Sequence, residues 1–470
     1  MRFVVVPQEA RTDRVVFWVG AFDYGKQAPQ EVGLRLDPIS TLLPLAADNW
    51  KVINPPGLPE AERVHYFQVV QSPLLETNRL YRAQLARNSE ILATAAFRTL
   101  PEALPRLGED PFTVLLGSCF CLEKDRQGDA GFSFDRLPWE DRPHMKILCG
   151  DQVYLDQPTW KNFPMDSAWL AGFFLRKYID AWSQSDPSGT RGYGRILKEG
   201  ASYFASDDHE FWNNYPNWTT LVQNSWTKAG RDQWAAPSRY LFNVFQNSDP
   251  EGDPKCFNVP PLSFLILDCR YNRAEGDNSF VSGLQMTRLN DWIEELNRQG
   301  WYGFLCLGQP IFHQPANWFE RRFADRSLPD YNQYRKLVES LAKSKQPLVI
   351  LTGDVHFGRI ARCRLAGAAD LFEVISSPTS LVDPLVGGKA HLPPPTYPAQ
   401  PLAGIPRVAI HVVNTVEQTP AMTPNENFLT MHFWSKGPSV RVRLKFWPVR
   451  TQGQNPTPIQ ISQFDLVTTS

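Results

Sequence analysis

The segment LTGDVHFGRI, residues 351–360, decides how this chain is read. The apolar run 347–351 leads into Gly353, and Asp354 and His356 follow two residues apart. A short apolar run bounded by a glycine turn reads as a buried strand. A strand ending in Asp-x-His delivers a carboxylate and an imidazole to one turn. A solvated surface turn is the plain alternative. What separates the two readings is whether other segments supply further ligands.

Working outward, three more apolar runs open into polar residues of ligand type. FTVLLGSCF (112–120) reaches Ser118 and Cys119, and MKILCGDQVY (145–154) reaches Asp151 and Tyr154. ASYFASDDHE (201–210) reaches Asp207, Asp208, His209 and Glu210. LSFLILDCR and WYGFLCLGQPIF are further candidate strands. SAWLAGFFLRKYIDAW, QMTRLNDWIEELNRQ and YNQYRKLVESLAKS carry helical periodicity. Strands alternating with helices predict α/β layering. In such folds ligands gather beyond the carboxyl ends of the strands.

Each strand end has a bland reading by itself. Cys119 reads equally as a buried thiol, Asp151 as a helix cap, and residues 207–210 as a solvated acidic turn. Read together they change weight. If the strands are neighbours, Cys119, Asp151, Tyr154, Asp208, Asp354 and His356 form a mostly anionic cage. Buried charge of one sign is costly unless cations balance it. Thiolate and phenolate favour a trivalent or borderline metal, and carboxylates suit a hard divalent ion. A mixed set can hold two different metals.

Composition excludes other classes. The 48 basic and 49 acidic side chains nearly cancel, which argues against nucleic-acid binding by bulk charge. No stretch approaches the roughly 20 apolar residues that span a bilayer. The start, MRFVVVPQEARTDRVVFWVG, lacks the longer apolar core of a signal peptide, so the sequence reads as cytoplasmic. Seven cysteines, an odd count in a long chain, argue against a disulfide framework. No G-x-G-x-x-G, G-x-x-x-x-G-K-[ST] or G-x-S-x-G is present, so nucleotide-cradle and nucleophile-elbow readings lack support.

Residues 1–99 read as β. RVVFWVGAF, RLYRAQLAR and EILATAAFRTL are rich in β-branched and aromatic residues, and turn-forming stretches separate such runs. A small N-terminal β-sandwich domain is the expectation. The Pro-punctuated residues 100–111 suit a linker, and 112–470 are expected to form the larger domain that carries these strand ends. NFLTMHFWSKGPSVRVRLKFWPV predicts a hairpin turning at Lys436 and Gly437. The Pro- and Gly-rich residues 384–406 predict a long loop.

Taken in order, these motifs resemble the alkaline phosphatase D (PhoD-like) family of metallophosphatases. The resemblance rests on Gly117-Ser118-Cys119; on Gly150, Asp151 and Tyr154; and on Asp207 to Glu210 followed by Asn213-Asn214. It continues through Leu267, Asp268, Arg270 and Arg273, the helix opening at Gln285, the Gly353–His356 turn, and EVISSPTS at 373–380. It implies a metallophosphatase-type α/β sandwich preceded by a β-sandwich. It implies a phosphoesterase acting on small-molecule monoesters or diesters through a metal-bound hydroxide, with ferric iron and calcium as metals and other divalent ions compatible.

By the same resemblance Asp151 bridges two metals, with Cys119 and Tyr154 on the iron side beside Asp354 or His356. Asp208 stands where related enzymes use Asn. His209 protonates the leaving oxygen with Glu210 orienting its ring, Arg270 holds non-bridging oxygens, and Asn214 adds a neutral donor. The bland alternative for Arg270 is an ion pair with Asp268 or another nearby acid. His313 is kept as a substrate-side residue, whereas His65, His144, His391, His411 and His432 read as surface or packing. FWNNYPNW, after His209, reads as a bulky wall of the substrate pocket. The chain departs from the family in Pro378, where relatives carry Gly, and in lacking an export signal. Competing readings are a catalytically inactive scaffold on the same frame, and a phospholipase or nucleotide phosphodiesterase.

Overall fold

The computed structural model describes all residues except 126, 159–161, 186–187, 248–253, 319, 324, 366–368, 381–391, 417–425 and 468–470. His391 and the first part of the predicted 384–406 loop lie outside the described residues.

Two large sheets face each other. In the first, Phe112–Gly117, Met145–Cys149 and Ala201–Ala205 run parallel, with Leu148 opposite Gly117 and Cys149 opposite Ala205. In the second, Leu262–Ile266, Tyr302–Gly308 and Leu348–Thr352 run parallel. These six parallel strands lie inside the sheets and are covered on both faces, so every one of their residues is buried. Side chains alternate between layers because the strand period is two. Val114, Leu116, Ile147, Phe264, Phe304, Val349 and Leu351 fill the space between the sheets.

The alternate positions point outward. Leu115, Leu148 and Phe204 pack against the helices Ser167–Ser183 and Lys228–Phe245. Leu265, Leu305, Leu348 and Ile350 pack against Gly283–Gln299 and Tyr334–Ala342. The result is an α/β/β/α sandwich. The Lys228–Phe245 helix carries Pro237 in its interior, which hides it from a periodicity reading.

The first strand, Arg2–Ala10, meets Ala201–Ala205 in parallel through Gln8 and Ser202. It also pairs antiparallel with Val15–Phe22. Hydrogen bonding therefore runs from the N-terminal strands straight into the first large sheet. A separate four-stranded sheet, containing Val32–Asp37, Leu80–Arg87 and Glu90–Arg98, packs on this region, with Phe97 edge-on to Phe17 at 5.1 Å. The predicted C-terminal hairpin is Asn427–Lys436 paired with Ser439–Pro448, joined to the first sheet along Phe112–Gly117.

Candidate metal centre

The carboxyl ends of both parallel sets open at the same place. Gly353 makes this convergence sterically feasible. A Cβ there would meet the carbonyl oxygen of Cys149 at 2.9 Å and Ser118 closer still. The Gly353 N–H donates to the Gly308 oxygen at 2.6 Å, tying two strand ends together. Gly150 has φ 93°, and a Cβ there would press on the Asp207 Cβ at 2.5 Å.

Cys119 and Asp151 sit side by side, sulfur to Oδ2 at 3.4 Å. The Ser377 hydroxyl donates to the Cys119 sulfur at 3.2 Å and accepts the His356 N–H at 3.1 Å, joining the 373–380 tract to both turns. The Tyr154 ring stacks on His209, centroids 4.2 Å apart, and packs with Cys119 and Cys121. Asp151, Asp208 and His209 each bring a ligand atom within 4.8 Å of the others. Asp354 Oδ2 accepts from Gln309 Nε2 at 3.1 Å. The structure thus brings the turns carrying Cys119, Asp151 and Tyr154, Asp208, and Asp354 and His356 together from four strand ends; among the described residues Asp151, Asp208 and His209 lie close enough to share one ion, and Asp354 and His356 are half-buried.

Backbone strain concentrates there. Cys119, Asp151, Asn214, Asp354 and His356 all hold positive φ, between 55° and 68°. Non-glycine residues in this region cost on the order of 1–3 kcal/mol each, and such strain clusters where function fixes side-chain direction.

The electrostatics are dominated by buried groups that are anionic when charged. Burial pushes the Asp151 carboxyl well above its ordinary range, and Asp208, Asp207 and Glu210 add to the rise against His209. Asp354 is raised by burial and by Asp207, Asp208 and Asp325. Burial and the Asp151 and Asp354 charges lift Cys119, and burial, with Cys119 and Asp151, lifts Tyr154. Burial raises Asp207 to about 6 despite Arg270. The Tyr154 hydroxyl, Asp207 Oδ2 and Asn214 Oδ1 are buried with no protein partner. Orphaned donor atoms among crowded anionic groups fit bound metal cations.

The supporting groups differ from expectation. The His209 ring is oriented by Asp156, whose Oδ1 lies 2.7 Å from Nδ1. Glu210 instead accepts the backbone N–H groups of Asp151, Gln152 and Asp207, at 2.8, 2.6 and 2.9 Å, and so shapes the turn. The fully buried Asp156 also accepts Asn213 N–H at 2.8 Å. Asp156 drew no reading from the sequence, because it stands outside the glycine-turn motif and only the fold brings it to His209. Burial disfavours the His209 charge, yet Asp156, Asp208 and Asp151 outweigh it and hold the imidazole well above its usual range. Burial, with the His209 charge, lowers His356 to about 4.

Arg270 is buried and engaged on every side. Its Nε donates to Asp207 at 2.6 Å, Nη1 to the Tyr215 oxygen at 2.8 Å, and both Nη atoms to Asp325. The acids its guanidinium pairs with are Asp207 and Asp325; Asp268 accepts from Ser206 and from the Arg270 backbone N–H. Asn214 accepts no substrate-side role from its amide nitrogen, which donates to the Trp218 oxygen at 3.2 Å; its N–H donates to Asp208 at 2.7 Å. Of the aromatic tract, Phe211, Trp212 and Tyr215 are core residues and only Trp218 is exposed, so the tract is mostly packing. His313 Nδ1 lies 2.9 Å from the Gln314 oxygen. His65 and His144 accept backbone N–H groups at 3.1 Å and His432 meets Asp141, which are packing roles. Asp325 and Gln309 escaped the sequence reading because neither stands in a motif.

No family model and no curated protein matches the chain. The fold defines a class nonetheless: this is a metallophosphatase-type α/β sandwich. A solved structure described as PhoD aligns with a TM-score of 0.65 at 13% identity, over 99% of this chain and 92% of that one. The purple acid phosphatase PPD1 from yellow lupin (Lupinus luteus) seeds aligns with a TM-score of 0.55 at 11% identity, over 99% and 74%. The particular form of the fold is therefore PhoD-like. No helix among the described residues is long and apolar enough to cross a membrane.

Proposed function

We propose that this protein is a metal-dependent phosphoric ester hydrolase acting on small-molecule phosphate esters. The observation that carries the reading is the buried meeting of thiol, phenol, carboxylates and imidazole, with the Tyr154 hydroxyl unpartnered. Cys119, Asp151, Tyr154, Asp208, Asp354 and His356 would hold the metals, with Asp151 central between the two halves of the set. Iron with calcium fits a donor set that mixes soft and hard ligands. Bound cations would supply charge stabilisation at the phosphoryl group and acidify water.

The chain's own residues do the rest. His209, kept protonated by Asp156 and the neighbouring carboxylates, donates a proton to the leaving oxygen. Asp156 fixes which ring nitrogen faces the centre. Asn214 offers its unpartnered carbonyl oxygen to the same centre. Arg270 anchors Asp207 beneath the ligands. We further propose that residues 1–99 act as a supporting β module and 112–470 as the catalytic unit.

Elemental analysis of the purified chain, combined with a panel of monoester and diester substrates, tests the reading. Stoichiometric metal with metal-dependent hydrolysis supports it, and Asp151→Asn should abolish turnover without unfolding the chain. Full activity in a metal-free sample or in that variant overturns it.

A further inference from the structure

Arg270 has no face left for a substrate. It is 1% exposed, and Asp207, also 1% exposed, closes its inner side. Asp325, at 15%, is the outermost member of the group. Its two oxygens take Nη1 and Nη2 together, the paired geometry a guanidinium offers to a phosphoryl group. Asp325 is also held from behind. Gln309 Nε2 donates to both Asp325 Oδ2 and Asp354 Oδ2. Gln309 Oε1 in turn accepts from Arg273 at 2.5 Å, and Arg273 Nη1 approaches Asp325 at 3.8 Å. One side chain therefore separates Asp325 from Asp354, a candidate metal ligand. The charge of Asp325 reaches both Asp354 and Asp208.

We infer that Asp325 is a specificity-determining residue: it occupies the outer face of Arg270 with a fixed negative charge and disfavours phosphoryl groups that carry two charges. The inference rests on the phosphoesterase reading for its meaning. It names the preferred substrate class as singly charged phosphodiesters over doubly charged monoesters. Like charges confronted at short range in a partly dehydrated site repel strongly, whereas a diester brings one charge fewer against Asp325.

The test compares the wild-type full chain with Asp325→Ala, Asp325→Asn and the charge-conserving Asp325→Glu, all metal-loaded. Calorimetry measures binding of inorganic phosphate and of dimethyl phosphate, and needs no turnover. Hydrolysis of p-nitrophenyl phosphate and bis-p-nitrophenyl phosphate gives kcat/KM for each charge class. The wild type should favour the diester. The Ala and Asn variants should bind phosphate at least tenfold more tightly and lower the diester-to-monoester ratio by at least tenfold. Asp325→Glu should keep the wild-type pattern, and thermal unfolding checks that each variant is folded. Unchanged phosphate affinity in folded Ala and Asn variants, or a wild type that favours the monoester, overturns the inference even if hydrolysis is present. Tighter phosphate binding in a chain that hydrolyses neither ester supports the charge filter and sinks the hydrolase reading instead.

Discussion

In the proposed reaction His209 and Asp156 form the pair on which proton transfer depends. With Nδ1 held by Asp156 at 2.7 Å and the ring stacked on Tyr154, the imidazole has one orientation and one free nitrogen. Asp156→Asn should lower kcat by roughly 10²–10⁴, the range associated with a positioned acid or base, and leave KM nearly unchanged. It should also move the alkaline limb of the pH–rate profile to lower pH, because the removed charge is one that raises His209. A rate–pH series on both proteins checks this. Asp151→Asn carries a second, opposite expectation. In metal-free protein the Asp151 carboxyl is a buried group pushed far from its ordinary range, so the neutral isostere should raise the Tm of the metal-free chain. The same change should erase the Tm gain on adding metal, and differential scanning with and without metal measures both.

At the scale of elements, strand ends and their turns set the geometry. Gly353 lets Leu348–Thr352 deliver Asp354 and His356 beside the Ser118 turn of the opposite sheet. Gly353→Ala should destabilise the chain by about 1–3 kcal/mol, as overpacking does in a filled interior, and should separate the two halves of the ligand set. Urea unfolding and metal stoichiometry report on these two consequences. Lys146, in the strand Met145–Cys149, is a buried ammonium that donates to the Glu199 oxygen and, at 2.5 Å, to the Gly200 oxygen. Burial lowers it from 10.5 to about 7, with Arg195 adding and Glu199 opposing. Between pH 7 and 10.5 the unfolded chain binds more protons at this residue than the folded one, so its contribution to stability rises with pH through that window. Below about 7 the penalty is fully present. The stability difference between wild type and Lys146→Met should therefore shift in favour of the wild type by on the order of 2–4 kcal/mol from pH 7 to 10. A flat difference across that range would exclude the shift.

Across the whole molecule, the two sheets are held face to face by a continuous apolar layer that also reaches the N-terminal strands. The candidate ligand turns follow the strands that build this layer, so on the proposed function cation binding and global stability would be linked. Chelation of the metal-loaded protein should lower stability by about 4 kcal/mol if free metal had stood near a thousand times its dissociation constant. A Tm independent of chelator would show that the cage binds no cation.

The amino-acid order by itself determined the six buried parallel strands and three of the helices within residues 112–352, because buried strands and amphipathic helices carry their periods locally. It also marked the strand-end turns that carry the candidate ligands, since glycine turns after apolar runs are local signals. Local signals say nothing about partners distant in the chain. That Arg2–Ala10 completes the same sheet as Ala201–Ala205 follows from a pairing across nearly two hundred residues. That Pro237 sits inside a continuous helix follows from packing against the first sheet, which outweighs the proline's intrinsic cost. Tertiary structure alone assigned His209 to Asp156 rather than Glu210, and capped Arg270 with Asp325. The physical reason is the same in each case: a buried charge takes whichever partner the fold brings within hydrogen-bond reach, and sequence spacing does not encode that distance.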